Sequence, residues 1–251
     1  SPIVEQVNKI IDTIMESRGW KVNDADRRAE VYGELRQYLI AKHGLERNEY
    51  YQTHKMRNLT AAEKRKEYAL AKQAYDTEVA DINADTSLTD AERELKLRDA
   101  KDAYDAAILE INTREVPDIR DYSGLTSLFG LEPKKFRQAE AEAQKVVDDF
   151  EAKFGAEADI LWERINKATD KTLRHSYESG IISRQQYNNI KDMFEFYIPL
   201  RGFEDITTED IYSYARFEGN RFSPAVQTAK GRTSVANDPL AYIMSMAESE
   251  I

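Results

Sequence analysis

Cysteine is absent from this chain of 251 residues. That excludes a disulfide scaffold and thiolate metal ligation, and it fits a reducing cytoplasm. Glycine and proline are scarce, at 10 and 6, which argues against a loop-rich all-β fold and for long helices. No run of about 18 apolar residues occurs, so no membrane-spanning helix is expected. Ser1-Pro2-Ile3 opens no signal peptide. The start without Met, and a closing Ala247-Glu248-Ser249-Glu250-Ile251 that reads as a helix cut short, suggest a piece excised from something longer. Histidine is limited to His43, His54 and His175, and none has the HxxxH or HExxH spacing of a metal pair. GxxxxGK[ST], GxGxxG and GxSxG are missing, which removes the standard nucleotide loops and the nucleophile elbow. No cofactor is expected.

What is present is charge, 33% of the residues, against 41% apolar, with a formal net charge of −10. An acidic chain repels phosphate backbones on average, which lowers the expectation of general nucleic-acid coating. Apolar residues at helical spacing (Ile3, Val7, Ile10, Ile11, Ile14) predict a first helix ended by Gly19. Asn23-Asp24-Ala25-Asp26 supplies capping side chains for a second, with Val31, Leu35, Tyr38 and Leu39 on its apolar face and Gly44 as its end.

Residues 60–115 form the clearest unit. Thr60-Ala61-Ala62-Glu63 and Thr89-Asp90-Ala91-Glu92 are capping boxes. Lys72-Gln73-Ala74-Tyr75-Asp76 recurs as Lys101-Asp102-Ala103-Tyr104-Asp105. Tyr68, Tyr75 and Ile82 are spaced by seven, as are Leu97, Tyr104 and Ile111. Two such helices joined by Asp85-Thr86-Ser87-Leu88 predict an antiparallel hairpin. Its stripe is narrow and its remaining surface charged, so a projecting arm is expected.

Beyond Pro117, Asp121-Tyr122-Ser123-Gly124 reads as a turn before the apolar cluster Leu125, Leu128, Phe129 and Leu131. Pro133 suits the first turn of a long helix that Gly155 stops. A further helix carries Leu161, Trp162, Ile165 and Leu173. Ser183 is a candidate N-cap for the next, which ends before Pro199. Val146, Phe150, Trp162, Ile165, Leu173, Ile190, Phe194 and Tyr197 are the expected core. A short helix near Tyr212, irregular chain over 216–238 and a last helix from Pro239 complete the pattern. No alternating strand pattern is found. The expected fold is all-α: a multi-helix bundle with a projecting antiparallel hairpin and an irregular C-terminal segment. Its divisions are an N-terminal helical segment 1–59, the hairpin 60–115 and a body 116–251.

Three constellations can carry chemistry. His43, before Gly44 at the expected helix end, suits a capping or surface role. The stretch Arg27 to Lys66 is locally basic, and Arg47, Tyr50, Tyr51, His54, Lys55 and Arg57 interleave cations with aromatics in the manner of single-strand binders. A charged face paired with Glu46, Glu49 and Glu63 is the simpler reading. Arg201-Gly202 and Gly231-Arg232-Thr233-Ser234 resemble small anion or partner sites, since glycine permits close approach and the hydroxyls add donors. Tethering of irregular chain to the body is the simpler reading. An unrecognised enzyme site would have to join Arg201, Arg232 and His175.

Ile181-Ile182-Ser183, Tyr187 and Phe196-Tyr197-Ile198-Pro199-Leu200-Arg201-Gly202-Phe203, followed by Gly231-Arg232-Thr233-Ser234-Val235-Ala236-Asn237-Asp238-Pro239-Leu240-Ala241, resemble the large polyvalent proteins of bacteriophages and conjugative elements. Asp121-Tyr122-Ser123-Gly124-Leu125-Thr126 is similar to the Ser-Gly-Leu step preceding such segments. The resemblance covers roughly residues 117–251 and leaves 1–116 unassigned. It implies a non-enzymatic helical segment of a very long chain in the bacterial host cytoplasm or the virion. Its partners would be neighbouring domains or other proteins. It supplies no catalytic residues.

Overall fold

The computed structural model describes residues 2–180, 182–196, 198, 238–241, 243 and 244. They form an all-α, multi-helix fold. In chain order the helices are α1 (Pro2–Ser17), α2 (Ala25–His54), α3 (Ala61–Ala84), α4 (Asp90–Thr113), α5 (Leu125–Leu128), α6 (Phe136–Glu178) and α7 (Arg184–Met193). Two three-residue strands, β1 (Met56–Asn58) and β2 (Glu115–Pro117), flank α3 and α4. The chain divides into two compact units, Gln52–Asp118 and the remainder. Residues of the expected segments 1–59 and 116–251 therefore share one unit.

In the larger unit, α1 buries Ile3, Val7, Ile10, Ile11, Ile14 and Met15 on one stripe, as its spacing predicts. Each such side chain contributes about 1.5–3 kcal/mol relative to exposure. Gly19, at φ +69°, turns the chain out of α1, and the Trp20 N–H bonds back to the Met15 carbonyl at 2.9 Å. The Arg18 and Arg27 guanidinia both lie over the Trp20 ring, 5.1 and 4.5 Å from its centre. Asp24 caps α2 through the Arg27 N–H.

Two expected helix ends are not ends. Gly44 lies inside α2, and Gly155 lies inside the 43-residue α6. A glycine stops a helix by taking positive φ. Gly19 and Gly180 do so, whereas Gly44 and Gly155 do not. Continuing α2 beyond Gly44 buries Asn48 and Tyr51. α6 instead kinks at Phe154 (φ −132°, ψ 26°), where the Gln6 amide donates to the Glu157 carbonyl at 3.3 Å.

Of the expected core, Phe150, Trp162, Ile165, Leu173 and Phe194 are buried. Val146 packs against that core while partly exposed. The Ile190 side chain and Tyr197 lie outside the described residues. Much of the core instead comes from α1 and α2. At its centre Tyr38 stacks on Phe150 at 4.1 Å, accepts from the Trp162 indole N–H and donates to Glu151. Glu151 also pairs with Lys42. Burial is the main force raising the Tyr38 hydroxyl above its ordinary pKa. Ser183 caps α7 in a capping box with Gln186, as expected.

In the smaller unit both predicted capping boxes are formed, by Thr60 with Glu63 and by Thr89 with Glu92. Tyr75 and Tyr104, the same position of the internal repeat, stack on each other at 5.0 Å. Tyr68 donates to Asn112 at 2.6 Å. Ile82, Ala100 and Ile111 are buried. The ends of the hairpin are tied by a ribbon the sequence pattern did not indicate. Met56, Arg57 and Asn58 pair antiparallel with Pro117, Val116 and Glu115. Three residues are too few to display alternation.

Gly44 and Gly33 make a paired test. A Cβ at Gly44 would sit 2.8 Å from Leu125 Cδ2, whereas a Cβ at Gly33 would meet no neighbouring side chain or element within 4 Å. Gly44→Ala is expected to destabilise by about 1–3 kcal/mol through overpacking. Gly33→Ala should stabilise by roughly 0.5–1 kcal/mol through helix propensity. Urea unfolding of the two variants checks both signs.

Candidate functional site

The concentration of buried polar groups lies where α2 meets the loop leading into α5. Asp121 is 7% exposed and Asn48 1%. An ionised carboxylate cannot be buried without donors. Asp121 Oδ1 accepts from the Ser123 N–H and Oγ, both at 3.0 Å, and from the Gly124 N–H at 2.9 Å. Its Oδ2 accepts from the Thr126 N–H and Oγ1, both at 2.8 Å. Asn48 adds its amide to Oδ1 at 3.3 Å and accepts the Tyr122 N–H at 2.7 Å. Arg47, one residue back, donates to the Tyr122 carbonyl at 2.8 Å. Gly124, at φ +82°, allows the turn that aims these N–H groups at one carboxylate. Burial pushes the Asp121 carboxyl up, but the bonds from Thr126 and Ser123 together push it further down, so it sits below the ordinary value. A carboxylate so occupied anchors a loop. It has no role for a mobile proton.

One turn earlier, His43 is 0% exposed in the interior of α2. This corrects the expectation of a surface or capping histidine, because the helix end assigned to Gly44 does not exist. The His43 ring meets Phe194 edge-on at 5.2 Å. Its Nδ1 lies 3.8 Å from the Glu46 carboxylate. Glu46 accepts from the N–H groups of Glu195 and Phe196, capping the chain as it leaves α7. Burial, with some help from Arg47, lowers the His43 pKa against the opposing pull of Glu46.

The sequence-derived candidates are distributed as follows. Arg47, besides its bond to Tyr122, stacks on Tyr51 at 5.2 Å. Tyr51, 2% exposed, packs with Tyr122 and Phe194, leaving no open ring face for a base. Tyr50 is half-buried, edge-on to Tyr51 at 5.3 Å. These three belong to the larger unit and His54, Lys55 and Arg57 to the smaller. His54 Nδ1 is 2.9 Å from Thr53 Oγ1. The Lys55 carbonyl accepts from the Asp118 N–H at 2.8 Å. Arg57 grips Glu63 with two bonds of 2.7 and 2.8 Å, and that guanidinium is the main reason the Glu63 carboxyl falls to about 2. His175 is exposed in the last turn of α6. Arg201, Gly202, Gly231, Arg232, Thr233 and Ser234 lie outside the described residues.

Asn48 was missed because a polar residue inside a helix gives no pattern. The turn Asp121-Tyr122-Ser123-Gly124 did carry a signal, that of a side chain closing a turn on the backbone two residues on. Among the described residues no cluster of three or more His, Asp or Glu side chains is arranged to hold a metal ion. No helix of the described residues is long and apolar enough to cross a membrane. No protein-family model, curated protein or solved structure matches the chain.

Six donors converge on the two Asp121 oxygens, and replacing Asp121 by Asn turns one of those oxygens into an NH2 that faces donors, with an expected loss of about 2–3 kcal/mol. Because the folded pKa is depressed, the stabilisation is complete above the unfolded value, about pH 4, and disappears as pH falls below it. Denaturation of wild type and Asp121→Asn between pH 6 and pH 2 should show the gap closing on the acid side. For His43 the folded pKa is also lowered. The unfolded chain therefore takes up a proton first, and stability falls as pH drops below about 6.5. Replacing His43 by Phe should flatten that part of the stability–pH curve.

Proposed function

We propose that this chain is a helical interaction and scaffold module, with the hairpin α3–α4 as its docking arm. The observation that carries this reading is the hairpin's surface. Its internal stripe is consumed by the Tyr75–Tyr104 stack and by Ile82 and Ile111, yet Leu70, Leu95 and Leu109 stay 62%, 48% and 65% exposed. Aliphatic side chains spaced along an otherwise charged helix pair offer anchor points of the kind that helix-in-groove contacts use. In the larger unit the buried Asp121 and Asn48 use their bonds to fix the loop before α5.

The resemblance of residues 117–251 to large polyvalent proteins of phages and conjugative elements supports placing the module in such a parent chain, working in the bacterial cytoplasm or carried with the virion. Neighbouring domains of that chain are then its first partners.

Asn58 and Glu115 are register partners across the ribbon, so a short turn can replace the hairpin without disturbing its flanks. The parent chain lacking residues 60–114 is expected to lose its partner contacts in cross-linking while the rest unfolds cooperatively as before. Retention of every contact would end the docking role.

A further inference from the structure

One face of α3 is complementary to itself. Lys66, Leu70, Gln73, Ala74, Thr77 and Asp81 lie within roughly 100° of one another at 100° per residue. This face is turned from α4, which Tyr68, Tyr75 and Ile82 address from the other side. All six residues are exposed. Leu70, Ala74, Thr77 and Asp81 line a shallow groove along the helix.

The face is arranged symmetrically about the midpoint between Gln73 and Ala74. Lys66 is as far from that point as Asp81, and Leu70 as far as Thr77. An antiparallel copy of the same helix would set each Lys66 against the other copy's Asp81 over a span of about 22 Å. Leu70 would meet Thr77 on either side of a small Ala74 centre. This is the isologous contact of a two-fold dimer.

A second observation points the same way. The first half of α3 carries the cations Lys64, Arg65, Lys66 and Lys72 against Glu63 and Glu67, whereas the second half carries only the anions Asp76, Glu78 and Asp81. Glu63 in the first turn suits the helix dipole, but the net distribution, basic first and acidic last, runs against it. Lys72–Asp76 is the one ion pair closed within α3 among the described residues, and no ion pair there engages Lys66 or Asp81. An antiparallel partner reverses the disadvantage, since each basic half faces an acidic half.

We infer that α3 docks on α3 of a second copy of this chain, forming a weak antiparallel dimer through Lys66–Asp81 pairs around Leu70. The inference rests on the reading of the hairpin as an interaction arm and names its partner.

Sedimentation of the full chain from micromolar to several hundred micromolar tests it, with Lys66→Glu and Asp81→Lys measured alone, mixed and combined. The wild type should dimerise reversibly. Either single variant should weaken the dimer about tenfold or more, because two attractions become two repulsions. An equimolar mixture of the two variants should recover association, since every facing pair is then opposite in sign, and so should the double variant. All positions are exposed, so circular dichroism should be unchanged. A monomeric wild type, or a mixture no better than its components, would overturn the inference. A monomer that still loses its parent-chain contacts on removal of the hairpin would keep the docking arm and exclude only the second copy as its partner.

Discussion

The carboxylate of Asp121 is the constraint around which the larger unit is organised. A buried charge is tolerable only where enough donors converge, and here the Ser123, Gly124 and Thr126 amides, two hydroxyls and Asn48 do so. Their convergence fixes the loop before α5 and presents Leu125 to Gly44, where a side chain on the helix would collide. The same turn brings Tyr122 against Tyr51, and Tyr51 packs in turn with Phe194 at the end of α7. The polar node thus specifies which part of α2 receives the loop, while the aliphatic side chains of α1 and α2 supply most of the burial.

The smaller unit follows a different logic. Its two helices are built from one repeated pattern, closed by two capping boxes and joined through aromatic stacking. Its apolar stripe is only wide enough to hold two helices together, so everything else on its surface is available for charge patterning. Long charged helices with isolated exposed leucines are economical recognition surfaces: leucines give the contact, and charge sets partner and register. That contrast between a unit that spends its polar groups internally and one that displays them underlies the functional reading.

The sequence was most legible where a pattern is local. Capping boxes, the heptad-spaced hairpin, the Asp24 and Ser183 caps and the stripe of α1 are set by residues within a turn or two of each other, and each forms as expected. α2 was read only to Gly44 for a geometric reason. Up to Leu39 its buried residues, Val31, Leu35 and Tyr38 among them, share one side. From His43 onward Gly44, Asn48 and Tyr51 occupy nearly the opposite side at 100° per residue. A helix that changes its buried face midway looks like a helix that ends. Burial of His43 and the role of Asn48 were hidden with it, because both depend on segments that arrive from far along the chain. The basic stretch Arg27–Lys66 looked continuous for the converse reason: its cations are close in sequence, but Arg27, Arg28 and Arg57 each hold a carboxylate or carbonyl of their own.

The most direct test is a double-mutant cycle between Asn48 and Asp121, with each replaced by Ala singly and together and unfolding free energies measured in urea. If the buried node ties the α5 loop to α2, the two losses should overlap, with a coupling of about 1 kcal/mol or more. Losses that add within roughly 0.3 kcal/mol would show that the two residues act independently, and would contradict the account.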